Sequence, residues 1–213
     1  MSDYANITGF ILKGGLITLK LYIVTAIFSI PLAVVFALGK ISKFKSLKAV
    51  LSAYTWLFRG TPLLLQLFFT YFGLPVLGIR FQPFTAAALT FVLNYAAYLT
   101  ETFRAGIQSI DKGQFEAAKV LGMTYPQTMI KVILPQAIRR VLPPTCNEGI
   151  NLIKDTALVA VIGMQDLLRA AKEIVTRDFT ITPFFIAAVI YLIITYGIVY
   201  VFEKLEDKYA FYE

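Results

Sequence analysis

Two polar stripes interrupt a chain that is otherwise built for an apolar solvent. Asn94, Tyr98 and Glu101 recur at i, i+4 and i+7, with Ala97 between them, and so share one helical face. Further on, Asn147, Glu148, Asn151, Asp155 and Thr156 form a second polar side, with Lys154 beside it. Ionisable groups inside apolar segments are costly, so by default they face a cavity or a partner. Glu101 and Asp155, if they converge, make an anionic pocket for an ammonium or a guanidinium, the latter bound by two bonds at once. Asn94, Tyr98, Ala97, Asn151, Thr156 and Tyr22 are the further candidates for its lining. A purely structural alternative stands beside this one. Glu148, Lys154 and Asp155 can pair among themselves or across a subunit interface, and Glu101 can contact Arg104.

The rest of the composition limits the chemistry. There is no histidine, which removes the usual general base and the commonest metal ligand, and the single cysteine, Cys146, excludes an intrachain disulfide and thiol-cluster metal sites. The expected metal and catalytic sites are therefore none. No G-x-x-x-x-G-K-[ST] occurs, so the chain is not expected to bind or hydrolyse ATP itself.

The elements that carry the stripes are membrane spans. The chain is 58% hydrophobic and 15% charged, where soluble domains have about a quarter of their residues charged. Its mean hydropathy is +0.70. Judged against the roughly 20 apolar residues needed to cross a bilayer, five spans are expected, at about 14–39, 61–78, 83–107, 137–163 and 183–202. The fold class is thus an all-α membrane protein, read as one domain over 1–213. An apolar run at 49–58 precedes the second span, which Thr61 and Pro62 open. Pro143-Pro144 predicts a break or kink in the fourth, and 165–180 reads as a short amphipathic segment. The N-terminal MSDYANITGF lacks a basic region and a cleavage site, so no removable signal peptide is expected.

Charge counts orient the spans. The loop with Lys40, Lys43, Lys45 and Lys48, the stretch from Arg104 to Arg140 and the C-terminal tail together hold twelve basic residues, against five on the other side. The positive-inside rule then puts the N-terminus outside and the C-terminus in the cytoplasm. It also accounts for the net charge of +7 without nucleic acid.

One cytoplasmic loop, 111–135, is a polar, helix-prone island. Asp111 with Gln114 predicts a capping box, Gly122 a left-handed stop, Thr124 with Gln127 a second box, and Pro135 the end of that second helix. Phe115, Ala117, Ala118 and Leu121 make a small apolar face rimmed by Glu116 and Lys119, suited to another protein's groove.

The spacing Glu116-Ala117-Ala118, three residues, Gly122, nine residues, Val132, one residue, Leu134-Pro135 resembles the EAA loop of ABC importer permeases, with Val132 in place of the family's Ile. RGTPLLLQLFF (59–69), ETFRAGIQSI (101–110) and QAIRRVLPPTCNEGINLIKDTALVAVI (136–162) are similar to the polar amino acid subfamily. The resemblance implies a type I ABC importer fold in a prokaryotic inner membrane and a coupling helix made by Phe115, Glu116, Ala117, Ala118, Leu121 and Gly122. It also implies a second permease subunit, two cytoplasmic ATPase subunits that bind ATP and Mg, and an extracytoplasmic substrate-binding protein. Family members move histidine, arginine, lysine, glutamine, glutamate or cystine. The two carboxylates favour a basic amino acid, with glutamine, glutamate or cystine as the alternative. A secondary transporter or channel is the rival from another class, but five spans do not divide into inverted halves. A membrane scaffold would explain the island but not the inward polar stripes.

Overall fold

The computed structural model describes residues 4–210. Nine α-helices account for most of them, and no strand occurs among the described residues. Helix α1 (Tyr4–Ile41) is followed by α2 (Lys45–Gly60) and α3 (Leu63–Phe68), the last running on through a π-helical turn at Phe69–Gly73 and a 3₁₀ turn at Leu74–Leu77. Helix α4 (Pro83–Gln108) leads into the short α5 (Lys112–Val120) and α6 (Tyr125–Thr128), then a π-helical turn (Met129–Ile133) and α7 (Leu134–Asp155). A 3₁₀ segment, Thr156–Ile162, connects α7 to α8 (Leu167–Asp178), and α9 (Thr182–Ala210) ends the described chain.

By length and apolarity, α1 and α9 each suffice to cross a membrane, and α2 with the α3 segment qualifies only as a pair bent by 103°. Helices α4 and α7 are 26 and 22 residues long but carry the polar stripes, which dilute their apolarity. The second predicted span is thus one arm of a bent hairpin whose other arm is the apolar run before it.

Three buried clusters hold the helices together. Leu21, Leu67, Phe91, Tyr95, Leu152 and Val159 join α1, α3, α4 and α7 with the 3₁₀ segment. Ile7, Ile11, Leu167, Ile174 and Ala187 join α1, α8 and α9. Ile107, Ile110, Met129, Ile133 and Ala137 seat the α5–α6 island against α4 and α7. The α4–α7 contact depends on Gly106, where an added Cβ would lie 2.1 Å from Val141 Cγ1.

Prolines act differently from the sequence expectation. Pro135 does not end the helix begun at Thr124. The backbone stays helical through the π turn, where Leu134 N–H bonds Met129 O five residues back, and on through Pro135 into α7. Helix α7 likewise runs unbroken through Pro143-Pro144, with Thr145 Oγ1 donating to Val141 O at 2.6 Å. The change of helix type comes after Asp155 instead.

Helix α8 is opened by a buried acid. Asp166 accepts from Leu168 N at 3.0 Å and Arg169 N at 3.3 Å. Burial pushes its carboxyl up to about 6, against the pull of those backbone donors and of Arg169. A raised pKa means that the folded state holds the proton more tightly than the unfolded chain. Stability is therefore fullest below about pH 4 and is lost as pH rises to about 6, a cost on the order of 3 kcal/mol. Asp166→Asn keeps a capping oxygen without the charge. It should raise the apparent Tm at pH 8, with the gap to wild type closing at pH 4; an equal gap at both would show that the charge is not the cause.

Candidate functional site

The two polar stripes meet across a cavity of about 510 Å³. Helix α4 contributes Asn94, Tyr95 and Tyr98, and α7 contributes Glu148, Asn151, Lys154 and Asp155 at i, i+3, i+6 and i+7. Thr61, Pro62 and Leu63, from the bend between α2 and α3, close one side. Two carboxylates and one ammonium line it. Tyr95 Oη donates to Asp155 Oδ2 at 2.7 Å, which ties α4 to α7 and orients the acid. Among the described residues no side chain donates to its other oxygen.

The bend is held by a compact amide network. Buried Asn94 donates through Nδ2 to Phe58 O and to Gln66 Oε1, both at 3.0 Å. Gln66 Nε2 donates in turn to Phe58 O at 2.9 Å and Thr61 Oγ1 at 2.7 Å. These bonds satisfy carbonyls that a broken membrane helix would otherwise leave unpaired. Asn94 thus shapes the cavity wall through the bend. The Arg59 guanidinium lies over the Tyr98 ring, 5.4 Å from its centroid, and Tyr98 Oη reaches Arg59 O at 3.4 Å.

Several candidates lie elsewhere. Glu101 does not converge with Asp155. Its carboxylate accepts from the Lys40 ammonium, from Thr55 Oγ1 at 2.9 Å and from Arg104 Nε at 2.8 Å, so α1, α2 and α4 meet on it. Three residues past Tyr98 the α4 face has turned from the cavity to the α1–α2 side. Ala97 and Thr156 are fully buried, the latter with its hydroxyl on Ile153 O at 2.6 Å. Tyr22 lines a separate chamber of about 40 Å³ with Ser29, Thr145 and Glu148. Asn151 does line the main cavity. Tyr95, Glu148 and Lys154 were missed as lining of this cavity. Lys154 stands beside Asp155 on the same polar side, so spacing alone signalled it; nothing local links Tyr95 to a partner on another helix.

The α5–α6 island is a second surface. Asp111 Oδ1 accepts from Gly113 N at 2.6 Å, but no capping box forms, because Gln114 instead takes Gln136 Nε2 at 3.2 Å. Gly122, at φ 74°, ends α5 in a Schellman turn, with Met123 N–H on Ala118 O and Gly122 N–H on Lys119 O, both at 3.0 Å. Thr124 and Gln127 make the second box, with Thr124 N–H on Gln127 Oε1 at 2.9 Å. The apolar face divides in two. Ala118 is buried and Phe115 packs on the Ile107–Ile133 cluster, so both anchor the island, while Ala117, Val120, Leu121 and Tyr125 are exposed. Glu116 and Gly122 are exposed beside them. Among the described residues no three metal-ligating side chains gather.

Residues 29–210 match the family described as "Binding-protein-dependent transport system inner membrane component". The chain belongs to that family. Among its relatives, the arginine transport system permease protein ArtQ of Bacillus subtilis is 43% identical, covering 93% of this chain and 92% of that one. The L-cystine transport system permease protein TcyB of the same organism is 42% identical over 94% and 88%. A putative glutamine transport system permease protein GlnP of Rickettsia felis is 39% identical over 93% and 92%. A crystal structure of an amino acid ABC transporter with histidines contains a chain 38% identical to this one, with a TM-score of 0.89 and coverage of 98% and 99%. The protein is a membrane permease subunit of the amino acid ABC transporter class and not itself an enzyme. A secondary transporter, channel or scaffold is set aside. The permease class works with separate ATPase and binding-protein subunits and a second permease.

Proposed function

We propose that this chain forms the translocation path of an ATP-driven importer for a cationic amino acid, arginine, lysine or histidine. The observation that carries this reading is the pair Glu148 and Asp155 on one wall of the α4–α7 cavity. Their carboxylates suit a guanidinium or ammonium side chain, and Lys154 is placed for the substrate's α-carboxylate. A wall of low dielectric strengthens each contact. The chain crosses the membrane five times in this reading, with α2 and the α3 segment together as one bent span, the N-terminus outside and the C-terminus in the cytoplasm. The complex holds this chain with a second copy or paralogue, two ATPase subunits carrying ATP and Mg, and one external binding protein. Nucleotide-driven closure of the ATPases moves the α5–α6 surface, and through the Ile107–Ile133 cluster moves α4 and α7 around the cavity.

Lys154 favours a second reading. If it neutralises one carboxylate, the cavity suits a dipolar amino acid such as glutamine. The test is uptake by the whole transporter in liposomes, against a panel of amino acids. Arginine should be taken up best, and Asp155→Asn or Glu148→Gln should each reduce its uptake roughly 10- to 100-fold, the worth of one hydrogen bond to a charged group. Uptake of glutamine or cystine, unaffected by either substitution, would overturn the cationic assignment.

A further inference from the structure

An apolar crevice of about 150 Å³ lies between α1, α4 and α7, on the side of the α5–α6 island. Every side chain that lines it is apolar, among them Ala37 and Leu38 of α1, Phe103 and Ile107 of α4, and Ala137 and Ile138 of α7. Leu38 and Ile138 are 40% and 37% exposed, so its rim opens outward from helices that work in a membrane. A dry apolar cavity takes an apolar guest rather than water. Gly106 already holds α4 against Val141 of α7, so closer approach of those two helices does not fill it.

One end of the crevice is basic. The lining face of α1 runs on to Ile41, which packs against the Ile107–Ile133 cluster, and Lys43 follows two residues later. On the other wall the lining begins at Leu134, and Lys131 is its neighbour on the helix surface. Both lysines are exposed. Among the described residues neither has a hydrogen bond or a carboxylate within ion-pair distance. No acidic residue occurs between Asp3 and Glu101, Glu101 is held by Lys40 and Arg104, and Asp111 caps α5. An apolar slot with two free cations at one end is complementary to a phospholipid, acyl chain inside and phosphate at the mouth. We propose that this crevice binds one anionic phospholipid, a chain between α1, α4 and α7 and its phosphate between Lys43 and Lys131. The orientation proposed above makes it a lipid of the cytoplasmic leaflet. Ile107 and Ala137 belong both to the crevice and to the cluster that seats the island. The bound chain thus packs where movement of the island reaches α4 and α7, and it tightens coupling between hydrolysis and transport.

The test uses the full transporter with its ATPase subunits, equilibrated with phosphatidylglycerol and phosphatidylcholine. Native mass spectrometry should find phosphatidylglycerol retained in preference, one per permease chain. Lys43→Gln with Lys131→Gln should weaken that retention about 25-fold, roughly fivefold per lysine. Ile138→Trp starts from a half-exposed site and lays a ring across the crevice. Its Tm in phosphatidylcholine alone should match wild type, while phosphatidylglycerol retention falls about tenfold or more, the worth of about two buried methylenes. In phosphatidylglycerol liposomes both variants should carry less amino acid per ATP hydrolysed, and in phosphatidylcholine both should match wild type. Equal retention of the two lipids by wild type overturns the proposal, as does undiminished retention by both variants. Equal coupling of wild type in the two lipids overturns the role in transport. Loss of the permease pair in Ile138→Trp, with lipid retention unchanged, would give the crevice to a second copy of this chain instead. Retention needs no substrate, so its outcome is independent of which amino acid the cavity carries.

Discussion

Glu101→Ala is expected to cost the protein about 3–5 kcal/mol, enough to lose most of the folded transporter from the membrane. The carboxylate is the meeting point of α1, α2 and α4, accepting from Lys40, Thr55 and Arg104. Lys40 is buried, and its only other partner among the described residues is Thr55 Oγ1 at 2.8 Å. Without Glu101 a largely buried ammonium loses its counter-charge, and breaking one side of a buried pair costs far more than the pair contributes. The double variant Lys40→Met with Glu101→Leu removes both charges and should recover much of the loss, which a thermal melt of the detergent-solubilised complex would show. Should Glu101→Ala melt like wild type yet fail to transport, the carboxylate belongs to the substrate path after all, as the i, i+4, i+7 stripe first suggested.

The second large effect is expected at the cytoplasmic island, and it rests on the coupling role proposed for α5 and α6. Val120 and Leu121 are 88% and 78% exposed on its free side. An aspartate at Leu121 places an unpaired charge where an apolar contact with the ATPase is proposed. Loss of a central anchor costs about 2 kcal/mol or more, roughly a thirtyfold fall in ATPase affinity. The measurement is co-purification and titrated ATPase assembly, with uptake alongside. Phe115→Ala should behave differently, because Phe115 packs inward: it should lower Tm with a smaller change in ATPase affinity. Equal assembly of Leu121→Asp and wild type would refute the assignment of this face. Gly122→Ala adds a methyl at φ 74° and strains the turn by roughly 1–2 kcal/mol. It should reduce transport per ATP hydrolysed without preventing assembly.

Much of this molecule is local, and what is local was legible. Asp111, Gly122 and the Thr124–Gln127 pair place both ends of α5 and the start of α6, because a cap is an interaction between neighbours in the chain. The apolar lengths of α1 and α9, the helical face shared by Glu148, Asn151 and Asp155, and the family resemblance were likewise in the residues themselves. Local rules misjudged Pro135 and the break expected at Pro143-Pro144, since a proline removes only the bond to the carbonyl four residues back and the remaining ladder, held by neighbouring helices, can carry the helix on. What only the tertiary structure decided is which polar groups face one another. Tyr95 meets Asp155, and Lys40 meets Glu101, across about sixty residues of chain in each case. Asn94 spends its amide on the bend at Phe58 and Gln66. Spacing puts residues on a face of their own helix, but the direction that face looks is set by how the helices pack. Tyr98 and Glu101 are only about 60° apart around the helix and about 4.5 Å apart along it, yet the packing sends one to the cavity and the other to the α1–α2 side.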